Sequence, residues 1–231
     1  MSGLVTAWAD GRVGHVRLER ADKRNALSQA LVDEALAAAD DLAGRGVTVA
    51  VLEAAGPVFC AGADLKEAFG RPPAEAASER LLAALLRSPL FWVAAVGGPA
   101  LGAGVAVVTA CPLSVCADSA WFALPEVRLG LFPSGVMAYL EPFVGTTRAI
   151  HLGLRERRWS AREALDWGMV SEVVEAASLA ARTEEWAAHL VAHPAVTAGA
   201  RQAWQSRFAD PAFRARKAQL DRLLEVPRGT A

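Results

Sequence analysis

Two glycine-rich turns, each following an apolar segment, are the features of this sequence best suited to chemistry. The first runs from Val58 to Glu67, has Gly62 at its centre and follows a valine-rich stretch at 47–52. The second runs from Gly97 to Gly104 and follows the apolar stretch Phe91–Val96. Turns after two strands can direct backbone N–H groups at one point, as in an oxyanion hole, where fixed donors stabilise a charged oxygen. The pattern therefore predicts activation of a carbonyl group.

Glu126 is the strongest candidate for proton transfer. It follows Pro125 within an apolar run between Trp121 and Pro133. Burial among apolar residues disfavours a charged carboxylate and raises its pKa, which suits a general acid and base. The alternative interpretation is a surface glutamate, or one that forms an ion pair with Arg128.

Alternating strand-like and helix-like segments must position these residues. A hairpin is predicted around Asp10-Gly11, and Ser28 is the predicted N-cap of a helix that ends near Gly44. Further strands are predicted at 47–53, 91–96 and 113–117, and further helices at 75–87, from the second turn to about 111, and at 179–192, 196–208 and 211–225. Such alternation indicates an α/β sheet with right-handed crossovers. Residues 70–73 are the best candidate for a mobile surface loop.

Composition excludes several classes of protein. The 231 residues have a net charge of −1, which favours neither nucleic acid nor an anionic membrane surface. The three cysteines show no metal-ligand spacing and are interpreted as buried hydrophobic residues in a reducing compartment. The apolar stretch at 90–111 contains Gly97, Gly98 and Pro99, which argues against a membrane span. No signal peptide is visible at the N-terminus, so we expect a soluble, cytoplasmic protein.

The order of these segments resembles the crotonase (enoyl-CoA hydratase/isomerase) superfamily. The resemblance rests on F-C-A-G-A-D-L-K-E at 59–67, A-L-G-A-G at 100–104 and L-P-E-V-R-L-G-L-F-P at 124–133. R-A-D-K-R-N-A-L at 20–27 and the segment at 160–170 add to it. It implies an α/β fold, a crotonase-like ββα spiral formed by residues 1–175, with a C-terminal helical trimerisation region at 176–231.

The resemblance also assigns roles. The oxyanion-hole donors are the backbone N–H groups of Ala63 and Ala103, and Glu126 is the catalytic acid and base. Coenzyme A enters as the thioester of the substrate, with no permanently bound cofactor and no metal. The residues implied in binding it are Lys23, Arg24, Ala26, Ala61, Gly62, Asp64, Leu65, Lys66 and Gly102. The acyl pocket is implied at Ala106, Pro125, Ser134 and Tyr139. A homotrimer or hexamer is expected, and the acyl carrier could also be acyl carrier protein.

Three other positions that carry acids in the family hold Ala106, Pro112 and Ser134 here. A single carboxylate can move one proton between two carbons, so the resemblance favours an enoyl-CoA isomerase. Several alternatives to an isomerase are consistent with the sequence. They are a hydratase that uses one glutamate, a decarboxylase, a hydrolase, a ring-cleaving enzyme and a non-catalytic accessory homologue. Glu141 and His151 are predicted to be structural or exposed.

Overall fold

A computed structural model describes residues 3–68 and 76–222. The strands are β1 Val5–Asp10, β2 Val13–Leu18, β3 Val49–Ala54, β4 Phe91–Val96, β5 Ala100–Leu101, β6 Leu113–Ala117, β7 Trp121–Ala123, β8 Trp159–Ser160 and β9 Glu172–Val174. The helices are α1 Gln29–Gly44, α2 Leu65–Ala68, α3 Ala77–Arg87, α4 Ala103–Ala110, α5 Ser134–Val144, α6 Thr146–Leu154, α7 Ala161–Asp166, α8 Leu179–Ala192, α9 Pro194–Ala209 and α10 Pro211–Arg222. The surface loop predicted at 70–73 lies outside the described residues.

The main sheet has the strand order β1-β2-β3-β4-β6-β9. The predicted hairpin is confirmed, since β1 and β2 pair antiparallel, and Gly11 between them has a φ of 57°. All other neighbouring strands of this sheet are parallel. Every residue of β4 is buried, as expected of a parallel strand covered on both faces. The carboxyl ends of β3 and β4 consequently lead side by side into the two glycine turns.

A second, smaller sheet holds the site together. Its order is β5-β7-β8, and β5 pairs parallel with β7. The backbone N–H of Gly102 donates to the carbonyl of Ala123 at 3.0 Å. This bond fixes the second glycine turn beside the segment that continues into Pro125 and Glu126.

The C-terminal third is helical, as predicted, and packs onto the core of its own chain. Helix α8 contacts β3, β4 and β6, and α10 contacts α5. Arg216 of α10 forms a bidentate ion pair with Glu141 of α5, at 2.7 and 3.0 Å. The predicted capping box is present at Ser160 and Glu163. A division at residue 175 and a role of this region in trimerisation stay predictions. None of the helices within 3–68 and 76–222 is long and apolar enough to cross a membrane.

Candidate active site

The two glycine turns pack directly against each other. The backbone N–H of Leu101 donates to the carbonyl of Cys60 at 2.8 Å. A Cβ atom placed on Gly62 would lie 2.8 Å from the carbonyl oxygen of Leu101 and 3.2 Å from the backbone nitrogen of Ala103. A Cβ atom on Gly104 would lie 2.6 Å from the carbonyl oxygen of Cys60. Glycine is thus required at both positions because the two main chains approach too closely for any side chain.

The backbone N–H groups of Ala63 and Ala103 are both available to a ligand. Among residues 3–68 and 76–222, neither group donates a hydrogen bond, and both residues are only partly buried. Ala103 is also the first residue of α4, whose N-terminus carries a partial positive charge that favours an anionic ligand atom. Gly62, which precedes Ala63, lies against the nitrogen of Ala103, so the two donors belong to one small region. The arrangement has the parts of an oxyanion hole.

Glu126 lies against this region. It belongs to a 3-10 helix at Pro125–Leu129, and a Cβ atom on Gly102 would lie 2.6 Å from its Oε1. Its Oε2 is buried and has no hydrogen-bond partner within the described part of the chain. Burial raises the pKa of the Glu126 carboxyl to about 7, against a smaller opposing effect of its own backbone N–H. The predicted environment of Glu126 is therefore confirmed, although the residue as a whole is only partly buried.

The alternative interpretation of Glu126 is not observed. Arg128, the candidate partner, forms its ion pair with Glu156 at 2.6 Å. Val127 and Leu129, on the same 3-10 helix as Glu126, are exposed. The carboxylate of Glu126 instead lies against Gly102. The carboxylate is thus directed at the glycine turns by the 3-10 helix and by the pairing of β5 with β7.

The segment at 20–27 is joined to the first glycine turn by hydrogen bonds and an ion pair. Asn25 is fully buried, and its amide donates to the carbonyls of Ala55 and Val58 at 2.9 and 2.8 Å. Its Oδ1 accepts from the backbone N–H of Arg20 at 2.9 Å. The guanidinium of Arg20 in turn forms an ion pair with Asp64 at 2.7 Å. The sequence analysis did not predict these interactions of Arg20 and Asn25, although both residues belong to the segment R-A-D-K-R-N-A-L at 20–27 that contributes to the family resemblance.

Replacing Asn25 with alanine should lower the free energy of unfolding by about 2–4 kcal/mol, because three partly buried backbone groups would lose their hydrogen-bond partner. The φ of 53° at this position adds to the cost, since alanine tolerates it less well than asparagine. Urea denaturation measures the change. Asp22→Ala, which removes an exposed side chain nearby, is the control, and a loss no larger than that of the control would contradict the role of Asn25.

The residues implied in coenzyme A binding differ in their surroundings. Lys23, Arg24, Leu65 and Lys66 are exposed. Asp64 is engaged within the chain: burial would raise its pKa, but the hydrogen bond from Arg20, the backbone N–H of Lys66 and both charges together lower it. The remaining members are partly or fully buried: Ala26 lies in the segment at 20–27, and Ala61, Gly62 and Gly102 belong to the glycine turns. Their contact with coenzyme A stays a prediction.

The residues implied in the acyl pocket differ in their surroundings. Ala106 is fully buried on α4, Pro125 is partly buried, and Ser134 is buried with a hydroxyl that has no partner among the described residues. The phenol of Tyr139 donates to Glu79 at 3.2 Å, and its ring packs against Phe213 of α10. Tyr139 therefore joins α5 to α3 and α10, and a pocket role for these four residues stays a prediction.

The remaining polar candidates match the sequence-based expectation. Glu141 is structural through its pairing with Arg216, and His151 is exposed. All three cysteines are free and buried, and burial raises the pKa of each thiol to about 12. No group of three or more potential metal ligands occurs within residues 3–68 and 76–222.

Comparison with known proteins identifies the family. The family model described as enoyl-CoA hydratase/isomerase matches residues 9–228. A 4-chlorobenzoyl coenzyme A dehalogenase of Arthrobacter is 35% identical over 193 residues, which cover 79% of this chain and 70% of the relative. An enoyl-CoA isomerase/hydratase of Mycosarcoma maydis is 32% identical over 177 residues, which cover 70% of this chain and 65% of the relative.

Comparison with solved structures points to the same family. The crystal structure of an enoyl-CoA hydratase subunit of Geobacillus kaustophilus HTA426 superposes with a TM-score of 0.81 and 31% identity. The superposition covers 95% of this chain and 87% of that one. The expected crotonase-like fold is thereby confirmed, and the chain belongs to the enoyl-CoA hydratase/isomerase family.

Proposed function

We propose that this acyl-CoA enzyme is an enoyl-CoA isomerase that moves a double bond between the Δ3 and Δ2 positions. The observation that carries the proposal is the placement of Glu126 against Gly102, directly before Ala103. Within residues 3–68 and 76–222, neither the buried Oε2 of Glu126 nor the N–H of Ala103 has a hydrogen-bond partner. The names of the relatives cover hydration, dehalogenation and isomerisation, so they do not choose among these reactions. The choice rests on the residues of the site.

The reaction follows from these groups. The N–H groups of Ala63 and Ala103 hold the thioester oxygen and stabilise the negative charge that develops on it. The Glu126 carboxylate removes a proton from C2, and the electrons of that bond form a dienolate with the C3–C4 double bond. The resulting carboxylic acid returns the proton to C4, which leaves the double bond between C2 and C3. These reaction steps require no resident cofactor, because coenzyme A is part of the substrate.

The surroundings of Glu126 support a single proton carrier. A hydratase must activate water and protonate carbon, which is difficult for one carboxylate. The neighbouring helix α4 presents Val105, Ala106 and Val107, all fully or almost fully buried and without a polar side chain. A pKa of about 7 allows Glu126 to lose and regain a proton near neutral pH.

The proposal is tested by NMR after incubation of the protein with 3-hexenoyl-CoA and with 2-hexenoyl-CoA in deuterated water. We expect double-bond migration with deuterium at C2 or C4 and no 3-hydroxyacyl product. A 3-hydroxyhexanoyl product would instead show that Glu126 manages hydration alone. Tight binding of both thioesters without any conversion would favour a non-catalytic accessory homologue, and either result would overturn the isomerase assignment.

A further inference from the structure

The direction of the Ala63 N–H is fixed by a hydrogen bond at the other end of its peptide group. In a trans peptide, the C=O of one residue and the N–H of the next point in opposite directions, and no peptide bond in the described part of the chain is cis. The C=O of Gly62 accepts from the backbone N–H of Leu27 at 2.8 Å. The N–H of Ala63 therefore points away from Leu27.

A second hydrogen bond completes a parallel bridge between Leu27 and Ala63. The N–H of Asp64 donates to the C=O of Leu27 at 3.1 Å. The main chain is thus held to Leu27 on both sides of Ala63. A shift of the main chain at Leu27 would consequently turn the oxyanion donor.

One guanidinium nitrogen joins the two main chains at one end of this bridge. Nη1 of Arg20 donates to the C=O of Ala26 at 2.9 Å and to Oδ2 of Asp64 at 2.7 Å. Ala26 directly precedes Leu27, and Asp64 directly follows Ala63. The side chains of Arg20 and Asp64 are only 17% and 13% exposed, so solvent screens their attraction less than it would on an open surface.

Both carboxylate oxygens of Asp64 accept hydrogen bonds from the protein itself. Oδ2 accepts from Arg20, and Oδ1 accepts from the backbone N–H of Lys66 at 3.1 Å. The family resemblance implies that Asp64 contacts coenzyme A. Its hydrogen bonds instead direct the carboxylate toward the segment at 20–27.

We propose that Arg20 and Asp64 form a positioning pair, which keeps the N–H of Ala63 directed at the thioester oxygen. This role rests on the proposed function only in that the Ala63 N–H binds that oxygen. Neither side chain needs to touch the substrate, because Arg20 acts through Ala26 and Leu27, and Asp64 through the main chain that it shares with Ala63. Loss of the pair should therefore weaken the polarisation of the carbonyl more than the affinity for the thioester.

Kinetics provide the first test. Arg20→Gln should lower kcat for 3-hexenoyl-CoA by about 10-fold to 100-fold, the effect of a misplaced catalytic group, with little change in KM. Asp64→Asn is almost isosteric and should cause a smaller loss, because its amide oxygen can still accept from Arg20. The double variant should lose no more than Arg20→Gln alone, since the two residues act as one unit. A rise in KM that exceeds the fall in kcat would show that the residues bind coenzyme A instead, and would overturn the positioning role.

The direct readout is the C=O stretching frequency of bound hexanoyl-CoA, labelled with ¹³C at the thioester carbon and measured by infrared difference spectroscopy at saturation. Hexanoyl-CoA has no double bond to move, so the signal does not depend on conversion. Hydrogen bonds to the oxygen lower this frequency, so the wild type should shift it below that of the free ligand. Arg20→Gln should reverse part of the shift, and Asp64→Asn provides the same test if Arg20→Gln does not fold.

Arg182→Gln is the matched control. It removes another ion pair between a guanidinium and a carboxylate, that of Arg182 with Glu172 at 2.8 Å, which joins α8 to β9. This variant should leave both kcat and the carbonyl frequency unchanged. A wild-type shift that Arg20→Gln and Asp64→Asn both leave intact would overturn the positioning role and keep the oxyanion hole. A wild-type frequency equal to that of the free ligand would instead remove the oxyanion hole, and the positioning role with it.

Discussion

Replacing Glu126 with glutamine should lower the rate of double-bond migration by about 10²–10⁴-fold, the usual contribution of a general acid or base. Glutamine keeps the size of the side chain but cannot accept the proton from C2. The affinity for the enoyl-CoA should change little, because the backbone donors at Ala63 and Ala103 stay in place. Glu156→Gln, an exposed change at the partner of Arg128, is the matched control.

The pH profile of the wild type provides the accompanying readout. The base must be ionised to act, so kcat/KM for 3-hexenoyl-CoA should rise with pH through an apparent pKa near 7. A profile that is flat between about pH 5.5 and 8.5, or a Glu126→Gln variant within tenfold of the wild type, would show that another group moves the proton.

The same variant should be more stable than the wild type at alkaline pH. The pKa of Glu126 lies near 7 in the folded protein and near 4.5 in the unfolded chain, so the fold favours the protonated form. The resulting penalty is absent below pH 4.5, grows between the two values and is complete above about pH 7. Glu126→Gln removes it, a gain of about 1–3 kcal/mol at pH 8 and almost none at pH 4.5, measured by urea unfolding.

Replacing Gly102 with alanine should reduce activity by about 10³-fold or more, because it disturbs the carboxylate and an oxyanion donor together. The new Cβ atom would lie 2.6 Å from Oε1 of Glu126, so the carboxylate must move. The backbone at this position, with φ of 52° and ψ of −122°, also disfavours a side chain. A change in the backbone there would turn the N–H of Ala103 away from the thioester oxygen. Steady-state kinetics with 3-hexenoyl-CoA measures the effect.

Gly168→Ala is the control for Gly102→Ala. Gly168 also has a positive φ, of 73°, but a Cβ atom there would meet nothing within 4 Å. It should cost stability through backbone strain alone and leave the rate within about twofold, since it is not in contact with the site. If both variants lose activity equally, the contact between Gly102 and Glu126 is not what matters.

The contact between the two turns could be predicted from the sequence, because glycine at specific positions indicates a close approach of main chains. Gly62 and Gly104 stand where main chains come within contact distance, and the apolar strands before them indicate the sheet that aligns them. The raised pKa of Glu126 was also predictable from its apolar neighbours. These features depend on local composition and on the order of elements along the chain.

Partners across the fold were not predictable in the same way. The pairing of Arg20 with Asp64 spans 44 residues, and that of Tyr139 with Glu79 spans 60. Each depends on the register of strands and on the rotation of helices, which hydrophobic periodicity leaves undetermined.

The use of main-chain donors beside a side-chain acid has an evolutionary consequence. In the proposed reaction, the groups that polarise the carbonyl are the backbone N–H groups of Ala63 and Ala103, so mutation of those side chains leaves them in place. The group that transfers the proton in this proposal, the Glu126 carboxylate, is one side chain on a separate 3-10 helix. A gene encoding this scaffold can therefore acquire a new reaction through a few codon changes around α4 and α5, while the ability to activate a thioester is inherited unchanged.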